Sequence, residues 1–192
     1  LHSLVNSSLV ICTMRAGTPR FSMLESIRQF ARERFSKNDP AHQSLVHARI
    51  RTHAIGELTK QNSLILGADA AKWLAKIADE SENHDSIITY CAENAATCQD
   101  ILQDGYELAY SLFNYNFLRS QYRAGSLHVR RLLAADTLRQ KTSLRAKILN
   151  IAANYDLNLG QPDSARNWVQ ESIQLSAEIG DEDTRQKGIA TL

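Results

Sequence analysis

A chain of 192 residues, 43% apolar and 22% charged, is long enough to bury a core without staples and too apolar to be wholly disordered. Its 22 Lys and Arg against 21 Asp and Glu leave a formal charge of +1, which steers the chain as a whole toward neither nucleic acid nor an anionic membrane. Eight Gly and three Pro supply too few turns for many short strands, so the composition favours helices joined by short loops.

The first 23 residues stand apart. Leu1, Leu4, Val5 and Leu9 have helical spacing, and Ser8 to Met14 is β-rich. Arg15–Pro19 reads as a turn and Arg20–Met23 as a second short strand, so helix end, strand, turn and strand follow in the order of a winged-helix tail with its wing hairpin. From Leu24 onward every pattern is helical. Leu24, Ile27, Ala31 and Phe35 mark one helix, with Phe30 widening the stripe and Arg28, Arg32 and Arg34 on its polar side. Asn38-Asp39-Pro40 stops it, with Asp39 as the next cap and Pro40 in the next first turn. Leu45, Ala48, Ile55 and Leu58 carry a long helix to about Leu66, closed by Gly67, with Asp69 in the following first turn. Trp73, Leu74 and Ile77 mark a short helix, and Ile87, Ile88 and Cys91 another.

The last third contains a repeat. Leu149, Ala152, Ala153, Gly160, Pro162, Ala165, Val169 and Ser172 fall at the signature positions of the tetratricopeptide repeat, a helix–turn–helix of about 34 residues. Small residues let the two helices approach, Gly160 ends the first in a left-handed conformation, and Pro162 starts the second. Shifting the frame back by 35 residues places Asn114, Phe117, Leu118, Gly125, Leu127 and Arg130 in equivalent slots, with Gly125 matched to Gly160. Gly180-Asp181 ends the second pair, and Asp183–Leu192 opens a third. The expected organisation is therefore a winged-helix remnant over 1–23, a helical linker over 24–98 and repeats over 99–192. The expected fold class is mostly α, an α-α superhelix of tetratricopeptide-like repeats behind a β-hairpin. Leu1 in place of an initiating Met, and an array that stops within a repeat, lead us to expect a piece of a larger protein.

Three stretches resemble one family. Leu4–Val10 (LVNSSLV) is similar to the segment leading into the wing. Arg20–Arg34 (RFSMLESIRQFARER) closely resembles the segment that follows it. Trp73-Leu74, Ile77, Glu80 and Asn83 match a motif preceding the repeats, and Leu175–Asp181 (LSAEIGD) resembles a repeat junction. These features resemble bacterial signal-transduction ATPases of the STAND type, found in LuxR-type and antibiotic-pathway transcriptional regulators. In that family an ATPase module is followed by a winged helix, a helical linker and tetratricopeptide repeats. His84 departs from the family, which has Leu there, and implies looser packing. Arg130 stands where a repeat favours Ala. The resemblance implies a non-catalytic sensor or interaction arm that binds a ligand or protein and signals to a nucleotide module. The chain has no phosphate loop of the form GxxxxGK[ST], so no cofactor is expected in it and ATP belongs to that other module.

Catalytic patterns are lacking. Asp79, Glu80, Glu82, His84 and Asp85 cluster, but no second cluster completes a site, and a solvated charged face accounts for them. The six histidines are scattered, with neither HExxH nor a Cys/His nucleophile pair, and no enzyme is expected. Cys12, Cys91 and Cys98 are odd in number and lack framework spacing, which fits a reducing, cytoplasmic compartment. The longest apolar runs are far too short to span a bilayer, and no secretory leader pattern is present.

Binding residues are expected on the first helix of each repeat, facing the groove. These are Tyr115, Arg119, Tyr122 and Arg123 in the first repeat, beside Leu112, and Lys147, Asn150, Asn154 and Asn158 in the second, beside Leu157. Asn offers donor and acceptor to a peptide backbone, Arg forks onto a carboxylate or phosphate, and Tyr adds stiff amphipathic contact. The expected partners are a peptide, protein or small ligand and, through the arginines of residues 24–35, the nucleotide-binding module of the parent protein. The alternative is a nucleic-acid-binding module using Arg15 and Arg20 of the wing and the basic helix around Arg123, Arg130 and Arg131; poor aromatic interleaving and the neighbouring acidic block count against it. That acidic block, from Ile77 to Leu118, carries eight carboxylates and no Lys or Arg. The stretch from Arg119 to Lys147 carries eight basic residues against Asp136, so stacked helices are expected to pair the two. Trp73 and Trp168 are expected as core anchors.

Overall fold

The computed structural model describes residues 1–15 and 18–191, apart from the side chains of Arg15 and Thr18. It is mostly helical. Among the described residues the order is α1 (His2–Asn6), β1 (Ile11–Arg15), β2 (Thr18–Ser22), α2 (Glu25–Phe35), α3 (Pro40–Asn62), α4 (Ala70–Asp79), α5 (Ser81–Asn94), α6 (Gln99–Leu118), α7 (Tyr122–Ala135), α8 (Ser143–Asn158), α9 (Pro162–Ile179) and α10 (Glu182–Thr191). The chain falls into two compact units, Leu1–Arg49 and Ile50–Leu192.

In the first unit β1 and β2 form an antiparallel hairpin, pairing Ile11 with Ser22 and Thr13 with Arg20. β1 begins three residues after the start of the β-rich stretch, β2 begins two residues earlier than the sequence pattern indicates and takes Thr18 and Pro19 of the expected turn into the strand, and Ala16-Gly17 of that turn lies outside the described residues. Val10 is the one buried side chain among the described residues of this unit, while Met14, Phe21, Leu24 and Phe30 are exposed. The Asp39 carboxylate accepts the His42 N–H at 3.2 Å and caps α3 as expected.

The second unit holds the core. Leu58, Ile77, Ile88, Cys91, Leu102, Tyr106, Leu112, Val129, Leu132, Ile148 and Tyr155 pack into one cluster, with Trp73 and Trp168 against its edge as partly buried anchors. Gly105 permits the close approach of α5, α6 and α7, because a Cβ there would lie 2.8 Å from the Cys91 Cβ and 2.7 Å from Leu132 Cδ2. Burial pushes the Cys91 thiol up to about 12. Ala153, Ala165 and Val169 join α8 to α9 in a smaller cluster.

Helix ends set the register of the pairs. Gly160 has φ +71° and Pro162 is the first residue of α9, as the sequence indicates. The partner of Gly160 in the preceding pair is Ser120, at φ +53°, and not Gly125. The Gln121 N–H donates to the Asn116 carbonyl at 2.7 Å, as the Gln161 N–H donates to the Asp156 carbonyl at 2.8 Å, which closes both turns in the same way. The two pairs are therefore 40 residues apart, which superimposes Tyr115 on Tyr155 and Val129 on Val169. Gly125 lies inside α7, where a Cβ would stand 2.3 Å from Cζ of the Tyr155 ring. It is a glycine of close helix approach, and the 35-residue frame mistakes it for a turn glycine.

Arg130 joins one pair to the next. Its guanidinium donates to the Asp156 carboxylate at 2.6 Å and lies 5.8 Å from the centre of the Trp168 ring. Asp156 is fully buried and also accepts from Ser164 Oγ at 2.6 Å and Trp168 Nε1 at 3.0 Å. One carboxylate thus anchors α7, α8 and α9. The acidic and basic blocks meet at few points. Asp85 faces His128 and Thr89 accepts from Arg131, but Asp104 pairs with Arg51 of α3, and Arg145 pairs with Asp136 and Glu171.

Candidate functional site

The eight residues expected in a groove are placed on two different surfaces. Lys147, Asn150, Asn154 and Asn158 lie along α8. There the Asn154 amide donates to the Asn150 carbonyl and the Asn158 amide to the Asn154 carbonyl, each at 2.8 Å, so these donors are turned back onto their own helix. Asn150 is buried and its Oδ1 accepts from Thr191 at 3.2 Å. The Lys147 ammonium lies 5.8 Å from the centre of the Tyr110 ring. Arg119 is the exposed residue closing α6.

Tyr115, Tyr122 and Arg123 converge elsewhere, in a cleft of about 580 Å³. Its walls come from the first turn of α5 (Ser81, His84, Asp85), the last turns of α6 (Leu112, Tyr115, Asn116), and the turn and first residues of α7 (Ser120–Ala124) with His128. The local sequence explains the shape. The left-handed Ser120 ends α6 abruptly, so α7 restarts at the cleft rim with Tyr122 as its first residue. The Tyr122 ring packs edge-on against Phe117 at 5.7 Å, leaving Arg123 exposed.

Two helix N-termini open into this cleft, and neither N-cap residue, Glu80 or Gln121, makes a side-chain capping bond. First-turn N–H groups have no partner within their helix and carry the positive end of its dipole. Two imidazoles sit between them. His84 is 6% exposed and His128 is 8% exposed. Nε2 of His128 lies 2.8 Å from Asp85 Oδ1, and Nδ1 of each ring has no hydrogen-bond partner. Burial pushes both imidazoles below their ordinary range, against the opposing pull of Asp85 on each and of Glu80 on His84.

Sequence reasoning placed His84 on a solvated face and did not single out His128. The structure corrects the first point: Asp79, Glu82 and Asp85 stay exposed while His84 is buried near His128 of α7. The signal available in the sequence was the His where a Leu was expected. Among the described residues no group of three His, Cys, Asp or Glu could hold a metal ion, and no helix is long and apolar enough to cross a membrane. No family model matches the chain, and neither a curated protein nor a solved structure does.

Proposed function

We propose that this chain is a non-catalytic sensor or interaction region of a signalling regulator, built on tetratricopeptide-like helix pairs, and that the cleft at the N-termini of α5 and α7 receives its ligand. The observation that carries this reading is the convergence of Tyr115, Tyr122 and Arg123 with His84 and His128 in one cleft. A purely structural helix junction gains nothing from imidazoles that each leave Nδ1 without a partner, because burying an unpaired polar atom costs stability. The paired helices supply a rigid frame for such a cleft, and the winged-helix and STAND-type resemblance of residues 1–34 supplies the regulatory context.

Thermal unfolding of the chain against peptides, nucleotides and metabolites tests this. A ligand at a hundred times its Kd raises stability by about 2.7 kcal/mol. The expected result is a stabilising compound whose effect is lost in Arg123→Ala and kept in Asn154→Ala. Loss in Asn154→Ala alone places the site on α8 and contradicts the cleft. A well-folded chain stabilised by nothing in the panel contradicts the sensor reading itself.

A further inference from the structure

We propose that the α5–α7 cleft binds a small organic anion, a carboxylate or phosphate monoester on a compact apolar body, and that binding draws one proton from solvent onto the His84–His128 pair. This rests on the ligand-binding reading above and adds the chemistry of the ligand.

The charge preference follows from what faces the cleft. The uncapped first turns of α5 and α7 present N–H groups and dipole ends that favour negative charge. Arg123 is exposed and supplies a guanidinium at the rim. The carboxylate in the wall, Asp85, is already engaged by His128 at 2.8 Å, so it opposes an incoming anion less than a free carboxylate would. Leu112, Tyr115, Tyr122 and Leu159 give the remaining wall apolar and aromatic surface for the body of the ligand.

The proton follows from the two rings. The titratable and charged groups around them are Glu80 at the N-cap of α5, Asp85 on α5, Tyr115 on α6, and Arg123 and Arg131 on α7. A neutral His128 gives its Nε2–H to Asp85 and leaves Nδ1 an acceptor without a donor. Nδ1 of His84 is equally unpaired. Burial disfavours the charged form of both rings, and a bound anion offsets that penalty by giving an imidazolium a counter-charge. Proton uptake and anion binding then reinforce each other, so affinity rises as pH falls.

Titration calorimetry on the 192-residue chain tests this with phenyl phosphate, benzoate and, as the cationic counterpart, benzylamine. Measurements at about pH 6 and about pH 7.5, in two buffers of different ionisation heat, read affinity and proton uptake together. The expected result is that an anion binds at least about fivefold tighter at the lower pH, within the tenfold per pH unit that one proton allows, with net proton uptake. Comparing phenyl phosphate with benzoate identifies the head group. Arg123→Ala, a surface change, weakens binding about tenfold at both pH values. His128→Gln flattens the pH dependence; should it fail to fold, the proton uptake of the unaltered chain still decides. Anion binding without proton uptake, or benzylamine bound in place of the anions, overturns the proposal. If a neutral or cationic compound stabilises the chain in an Arg123-dependent way, the sensor reading survives while the anion proposal fails. If no class of compound binds, both fail.

Discussion

Gly125→Ala should destabilise the second unit, although alanine is the better helix former. An ideal Cβ at residue 125 would lie 2.3 Å from Cζ, 2.6 Å from the hydroxyl oxygen and 2.7 Å from Cε1 of Tyr155. Carbon–carbon contacts settle at about 3.5–4.0 Å, so the ring or the helix must retreat by more than about 1 Å. The ring has little room. Tyr155 is 1% exposed, its hydroxyl accepts from the Asn116 amide at 3.2 Å, and its edge meets Phe113 at 5.6 Å. Overpacking costs about 1–3 kcal/mol, and an overlap this deep with a confined ring belongs at the upper end. The helix propensity of alanine returns about 1 kcal/mol. The net loss is about 2 kcal/mol, a fall in Tm of about 4–8 °C for a chain of this size. Gly56→Ala is the control: it sits in α3 with nothing within 4 Å of its Cβ and should stabilise by up to about 1 kcal/mol. Urea unfolding measures both, and adding Tyr155→Leu to Gly125→Ala should recover part of the loss through a coupling of about 1 kcal/mol or more. A Gly125→Ala variant as stable as the parent refutes the close-approach role.

Asp156→Ala removes the acceptor shared by Arg130, Ser164 and Trp168 and should cost about 2–4 kcal/mol; Arg130 keeps solvent access, which holds the loss below that of a fully buried pair. Unfolding followed by tryptophan fluorescence checks it, and a loss below about 1 kcal/mol contradicts the anchoring role. The thiols should react unequally. With a thiol reagent at about pH 8, Cys12 and Cys98 are labelled in the folded chain and Cys91 only after denaturation. Stability should depend on pH through His84 and His128, which burial holds below their ordinary values. Once pH falls below about 6.5, the unfolded chain takes up protons that the folded one resists, so stability is greatest above that value and declines toward the depressed folded range. Urea unfolding at about pH 7.5 and about pH 5.5 checks the sign, and a decline unchanged in His84→Gln assigns it to other groups.

Much of the helical order is legible in the sequence because it depends on local chemistry. The Asp39 cap, the left-handed Gly160 and Gly180, and Pro162 at the start of α9 each act within one turn of chain. The register between pairs is less legible. A glycine is used both where φ must be positive and where another ring presses on the backbone, and Gly125 serves the second purpose while Ser120 takes the strained turn. The asparagine ladder on α8 shows a similar ambiguity: a row of amides at helical spacing reads as a recognition face, yet two of those amides bond their own helix. His84 and His128 belong to helices α5 and α7, and only the packing of those helices brings them together. Tyr115, Tyr122 and Arg123 are accessible to sequence reasoning as near neighbours in the chain, although Tyr122 and Arg123 open α7 and do not lie on the first helix of the pair as expected.

The central claim is that ligand binds at the helix ends and not along α8, and backbone NMR with phenyl phosphate tests it most directly. The account predicts the largest amide shifts at Ser81–Asn83 and Tyr122–Ala124, with imidazole signals of His84 and His128 moving toward the protonated form. Shifts concentrated at Asn150, Asn154 and Asn158, with those first-turn amides unmoved, would contradict it.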